Sequence, residues 1–227
     1  MTVKLDQVVP FGRSLDEYRL MFSLSETDLS KRILGCGDGP ASFNAELYSR
    51  GFTVTSMDPL YRFTGAEITR RFEECFDQVF AQVRNTTDHF RWGYHRDPDN
   101  LLSNRRRALE IFVKDFELGR MQERYLVASL PELPFADNSF DLALCSHLLF
   151  LYTEHFTLEF HIQSIEELLR VATEVRIFPV LTLACERSPY LDAVCRYFRI
   201  PGYKTEVVPV KYEFQKGGNE MLRIHHG

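Results

Sequence analysis

Three glycines, Gly35, Gly37 and Gly39, lie within one five-residue stretch at the end of the apolar run 32–36 and the turn that follows it. A turn this rich in glycine lets a ligand approach the backbone and sets it at the amino end of a following helix. Tight turns also need glycine, so the loop alone leaves a purely structural reading open. Asp58 ends the next apolar run, 52–57, where a carboxylate accepts hydrogen bonds from the hydroxyls of a ribose. A dinucleotide fingerprint would need a third glycine, but that position falls on Pro40 in one register and Ser42 in the other. The pair therefore points to an adenosine-containing ligand other than a dinucleotide and moves a nicotinamide-dependent oxidoreductase to second place. His147 follows the apolar run 140–145, at the carboxyl end where doubly wound sheets bind ligands. A neutral imidazole there could act as general base, the alternative being a hydrogen-bonded edge of the core.

The elements that must position these residues alternate between helical and strand patterns. Ser14 and Glu17 are spaced as a capping box for an amino-terminal helix over 14–24, with Leu15, Tyr18 and Phe22 at helical intervals. Strand 32–36, the glycine turn, a short helix from Pro40 towards Gly51 and strand 52–57 make a βαβ unit. Strands are also expected over 125–128, 140–145 and 175–184, with helices around 162–172 and 188–198. Two last strands, 204–210 and 220–224, flank a turn at Lys216, Gly217 and Gly218. The pattern predicts an α/β fold: a doubly wound, mostly parallel sheet of about seven strands with helices on both faces. The whole chain, 1–227, reads as one domain.

Between the second and third strands lies a surplus at about 60–124. It holds an amphipathic helix through Ile68, Phe72, Phe76 and Phe80 and another over 103–117. We read it as a helical insertion. Trp92, Tyr94 and His95, in the polar aromatic loop between those helices, are candidate substrate contacts; the alternative for Trp92 is packing between the helices. Arg105, Arg106 and Arg107 cannot share one helix face, and acidic neighbours make a solvated face the expectation.

Composition excludes several classes. Lys and Arg total 27 against 32 Asp and Glu, a net charge of −5 that does not suit a dedicated nucleic-acid binder. Five cysteines without a C-x-x-C pair argue against a disulfide framework or a metal site and favour the cytoplasm. The first residues carry no apolar leader-like core, and no apolar run is long enough to span a bilayer. No nucleic-acid or membrane partner is expected.

The chain resembles the class I S-adenosylmethionine-dependent methyltransferases. The likeness rests on the segment from Ile33 to Ala41, on Asp58, and on the segment from Leu133 through Asp137 and Phe140 to Leu142. It implies S-adenosyl-L-methionine as cofactor and methyl transfer to an unidentified small molecule by in-line displacement, for which positioning matters more than a base. It places Gly35, Cys36, Gly37, Asp38, Gly39, Asp58, Pro59, Ser129, Leu130, Cys145 and Ser146 at the cofactor, with Tyr18 closing over it from the amino-terminal helix. Matching the family glycines to Gly37, Gly39 and Ala41 puts Gly35 where the family carries an acid for the methionine end. Asp38 is the candidate substitute, or else a solvated turn residue. Ser129 stands where the family often has an acid for adenine, and Thr173 and Glu174 replace a usual glycine pair. Because of the missing acid, a non-catalytic binding or interaction protein with this fold is the alternative.

Overall fold

The computed structural model describes residues 9–199 and 201–227. Its centre is a seven-stranded sheet in the order β3-β2-β1-β4-β5-β7-β6. The strands are β1 (Ile33–Cys36), β2 (Val54–Met57), β3 (Tyr125–Leu126), β4 (Leu142–Ser146), β5 (Glu174–Phe178), β6 (Tyr203–Pro209) and β7 (Glu220–His226). The pairs from β3 through β5 are parallel, and β7 runs antiparallel to both β5 and β6. The first five strands thus present their carboxyl ends along one edge, and the direction of winding reverses between β1 and β4. Ligands bind at such a switch point.

Both faces of the sheet are covered because its inner strands are buried on both sides. In β1, Leu34 and Cys36 face a core shared with α6 (Leu158–Val171) and α7 (Leu191–Tyr197). Ile33 points the other way, into a core with α1 (Leu15–Met21), α2 (Glu26–Leu29) and α3 (Phe43–Tyr48). This alternation is the period-two geometry of a strand. The predicted capping box is present: Ser14 Oγ accepts from Glu17 N, and Glu17 accepts from Ser14 N. Glu174 is buried and paired with Arg176 and Arg223 at 2.8 and 2.6 Å.

The segment between β2 and β3 folds as two long helices, α4 (Gly65–Asn85) and α5 (Pro98–Met121). They pack together around an aromatic core of their own, with Phe72, Phe76 and Phe112 fully buried. Phe11, from the amino-terminal segment, sets its ring 5.2 Å from that of Phe72. Helix α5 starts earlier than the apolar spacing suggests: Asp97 accepts from Asn100 N at 2.7 Å and Pro98 occupies the first turn. That is a start signal the periodicity alone misses.

Three other expectations change. Pro40 lies in the loop and α3 begins at Phe43, because Gly39 is tied to Asp58 and Tyr61 rather than released into a helix. The fifth strand stops at Phe178, well short of 184: Pro179 has no N–H to continue the ladder. The arginine run is not wholly solvated, since Arg105 is buried against Glu17 while Arg106 meets Glu73 at the surface. Among the described residues no helix is long and apolar enough to cross a membrane. Residues 1–8, which carry most of the leader reading, lie outside the described residues.

Candidate functional site

The carboxyl ends of β1, β2 and β4 open into a cleft of about 650 Å³, within the range of small-ligand sites. Gly37 and Gly39 form its floor with φ of +66° and +53°, a conformation open to glycine and costly for a side chain. Asp58 fixes the loop to the next strand: its Oδ2 accepts from Gly39 N at 2.9 Å and its Oδ1 from Leu60 N at 2.7 Å. Tyr61 Oη donates to Gly39 O at 2.8 Å. Burial raises the Asp58 carboxyl above its ordinary value, opposed by these two amides.

Asp38 is not a solvated turn residue. It is 5% exposed, and it folds back over Gly35. A β-carbon at position 35 would lie 1.9 Å from Asp38 Oδ2, so the carboxylate occupies the room a side chain on residue 35 would need. That is a physical reason for glycine at position 35. Tyr18 Oη donates to Asp38 Oδ1 at 2.6 Å, and Ser56 Oγ donates to Oδ2 at 2.7 Å. Burial, with help from the nearby Asp58 charge, pushes this carboxyl up to about 7 against the two hydroxyl donors. Tyr18 is itself buried, its ring stacked on Phe43 at 4.1 Å and 5.6 Å from that of Phe22, while its hydroxyl reaches Asp38.

Tyr18, Gly37, Asp38, Gly39, Asp58, Pro59, Ser129, Leu130, Ser146 and His147 all line the cleft. Gly35 lies beneath Asp38, and Cys36 and Cys145 are register partners fully buried in the sheet, so these three do not line it. Ser129 is exposed at the rim and Leu130 is buried. His147 holds the left-handed conformation, φ +52°, with its N–H donating to Phe178 O at 2.6 Å and Nδ1 2.9 Å from Ser146 Oγ. Strained backbone of this kind clusters at functional sites. Burial, and then the charges of Arg13 and Arg105, lower its pKa well below the ordinary value, so the ring is neutral.

The structure does not bring Trp92, Tyr94 and His95 to the cleft. Trp92 packs on Phe90 and Phe214 and donates to Thr87 O at 3.1 Å. Tyr94 packs on His95 and Tyr212. His95 is fully buried, its Nδ1 3.0 Å from Asn104 Nδ2 and its Nε2 2.9 Å from Tyr212 Oη. The hairpin of β6 and β7 folds its connecting loop over this segment, which the spacing of residues 89–95 does not reveal. Tyr212 in turn donates to Glu17 Oε1 at 2.9 Å, and Arg105 makes two 2.8 Å bonds to the same carboxylate. Glu17 is held well below its ordinary pKa by Arg105 and His95, against the cost of burial. This network is an anchor between α1 and α5.

Sequence reasoning misses Ser56 and Arg13. Ser56 is an inward position of β2 and alternation places it; Arg13, a single basic residue ahead of the capping box, carries no pattern.

The chain is 34% identical over 223 residues to the uncharacterized protein MJ0045 of Methanocaldococcus jannaschii, covering 98% of each chain. It belongs to the same family as that protein. No protein-family model matches. Similar solved structures include the magnesium protoporphyrin IX methyltransferase of Synechocystis with bound S-adenosylmethionine, 13% identical with a TM-score of 0.49, covering 94% of this chain and 78% of that one. Another is a TehB-like methyltransferase of Corynebacterium glutamicum, 14% identical with a TM-score of 0.46, covering 93% and 87% of the two chains.

Proposed function

We propose that the chain is an S-adenosylmethionine-dependent methyltransferase acting on a small-molecule acceptor. The observation that carries this reading is Asp38: a buried carboxylate laid over Gly35, facing the same cleft as the glycine loop and Asp58. The donors and acceptors of the cleft suit the cofactor. Asp38 would hold the amino group of its methionine end, Asp58 the ribose hydroxyls through lone pairs left free by Gly39 and Leu60, and Ser129 and Leu130 the adenine edge. When bound, the cofactor supplies an electrophilic methyl group on sulfur.

The chain's own part is placement and exclusion of water. Tyr18 closes the cleft over Asp38 from α1, and Leu148, Phe156 and Phe160 give it apolar walls. His147, neutral and at the inner end, can accept a proton from an acceptor hydroxyl or amine.

Calorimetric titration with S-adenosylmethionine and S-adenosylhomocysteine tests the reading. Micromolar binding, weakened at least tenfold by Asp58→Ala, is expected. No binding up to millimolar cofactor would sink the methyltransferase assignment and favour a binding protein that merely keeps the fold.

A further inference from the structure

Behind the cofactor cleft lies a second, smaller cavity of about 120 Å³. Val9, Phe11, Arg13 and His147 line both spaces, so the two meet there. The walls are apolar, built from Val79, Phe80, Leu151, Phe178, Leu183 and Phe214. A dry cavity of about 150 Å³ holds one benzene ring, so this one suits a single ring or a short branched chain.

Its polar equipment is a guanidinium. Arg13 Nη1 donates to Phe11 O at 2.8 Å, while Nε is buried with no hydrogen-bond partner. No carboxylate pairs with Arg13 among the described residues. The nearby acid, Glu17, already receives Arg105, Tyr212 and Ser14. The facing imidazoles of His147 and His95 are neutral, both lowered by burial first. Counting Arg13, Arg105 and Glu17 leaves one positive charge uncompensated beside an apolar chamber. A buried unpaired charge is costly, and an anion placed at the junction would relieve that cost through charge-assisted bonds to a planar donor.

We infer that this chamber binds a small apolar carboxylate of about one ring, its body among the aromatic walls and its carboxylate on Arg13 where the chamber meets the cofactor cleft. This names the acceptor class for the methyltransferase proposed above and rests on that reading for its meaning, though not for its binding chemistry. The carboxylate enters already ionised at neutral pH.

The test is calorimetric titration with benzoate, benzamide and acetate, in the protein alone and with saturating S-adenosylhomocysteine. Benzoate is expected to bind at least tenfold more tightly than benzamide, which lacks the charge, and than acetate, which lacks the ring. Arg13→Met should abolish that preference, and Arg13→Lys should restore part of it. Equal binding of benzoate and benzamide would overturn the inference, as would undiminished benzoate binding by Arg13→Met. Should Arg13→Met not fold, the comparison of the probes on the unaltered protein decides. Cofactor binding without any benzoate binding overturns the inference and leaves the methyltransferase reading standing. Selective benzoate binding without cofactor binding supports the chamber and removes the methyltransferase reading.

Discussion

Replacing Asp38 by asparagine separates the electrostatics of the cleft from its shape. The amide keeps the volume of the carboxylate and can still accept from Tyr18 Oη, but it cannot ionise. In the folded protein the Asp38 carboxyl is pushed from 3.8 up to about 7, chiefly by burial. A raised folded value means that the folded state holds its proton over a range where the unfolded chain has lost it. The stability this contributes is complete below about pH 4 and is lost as pH rises towards 7. Converted at about 1.4 kcal/mol per pH unit, the loss reaches at most about 4 kcal/mol above pH 7. Asp38→Asn escapes that loss. The cofactor-free variant should match the parent near pH 4 and exceed it by up to about 4 kcal/mol at pH 8 in urea unfolding. Cofactor affinity should move the other way, falling about 10- to 100-fold at pH 8 as a charge-assisted bond is lost. A stability difference that is the same at pH 4.5 and pH 8 would refute the assignment of a buried, elevated carboxyl. Unchanged cofactor affinity would refute its role at the methionine end.

Two further substitutions probe the frame around that carboxylate. Gly35→Ala places a β-carbon 1.9 Å from Asp38 Oδ2, so Asp38 must move, and the measured cofactor affinity should fall at least as far as in Asp38→Asn at pH 8. Glu17→Gln leaves the buried Arg105 guanidinium without its counter-charge, and denaturant unfolding should report a loss of about 3–5 kcal/mol.

The sheet and the floor of the cleft are legible from local chemistry. Alternation, capping residues and turn glycines act over a few residues, so β1, β2, β4 and the two long helices follow from spacing alone, as do the glycine loop and Asp58. Starts and stops that depend on a single group outside the periodic run do not show in spacing, as with Asp97 ahead of α5 and Pro179 after β5. The packing of residues 92, 94 and 95 is hidden for a different reason. Their partners Tyr212 and Phe214 sit more than a hundred residues away, and no local pattern connects the two segments.

Residue types and spacing along the chain already carry the alternation of strands and helices, the glycine turn, the acidic end of the second strand and the absence of an acid at position 35. The folded arrangement adds that Asp38 fills the space over Gly35, that Arg105 belongs to Glu17, and that Arg13 stands without a counter-ion between two cavities. The reason is physical. Backbone conformation is set by neighbours along the chain, whereas the ionisation and pairing of a buried charge depend on which distant groups the fold brings within a few ångströms and on how much water it removes.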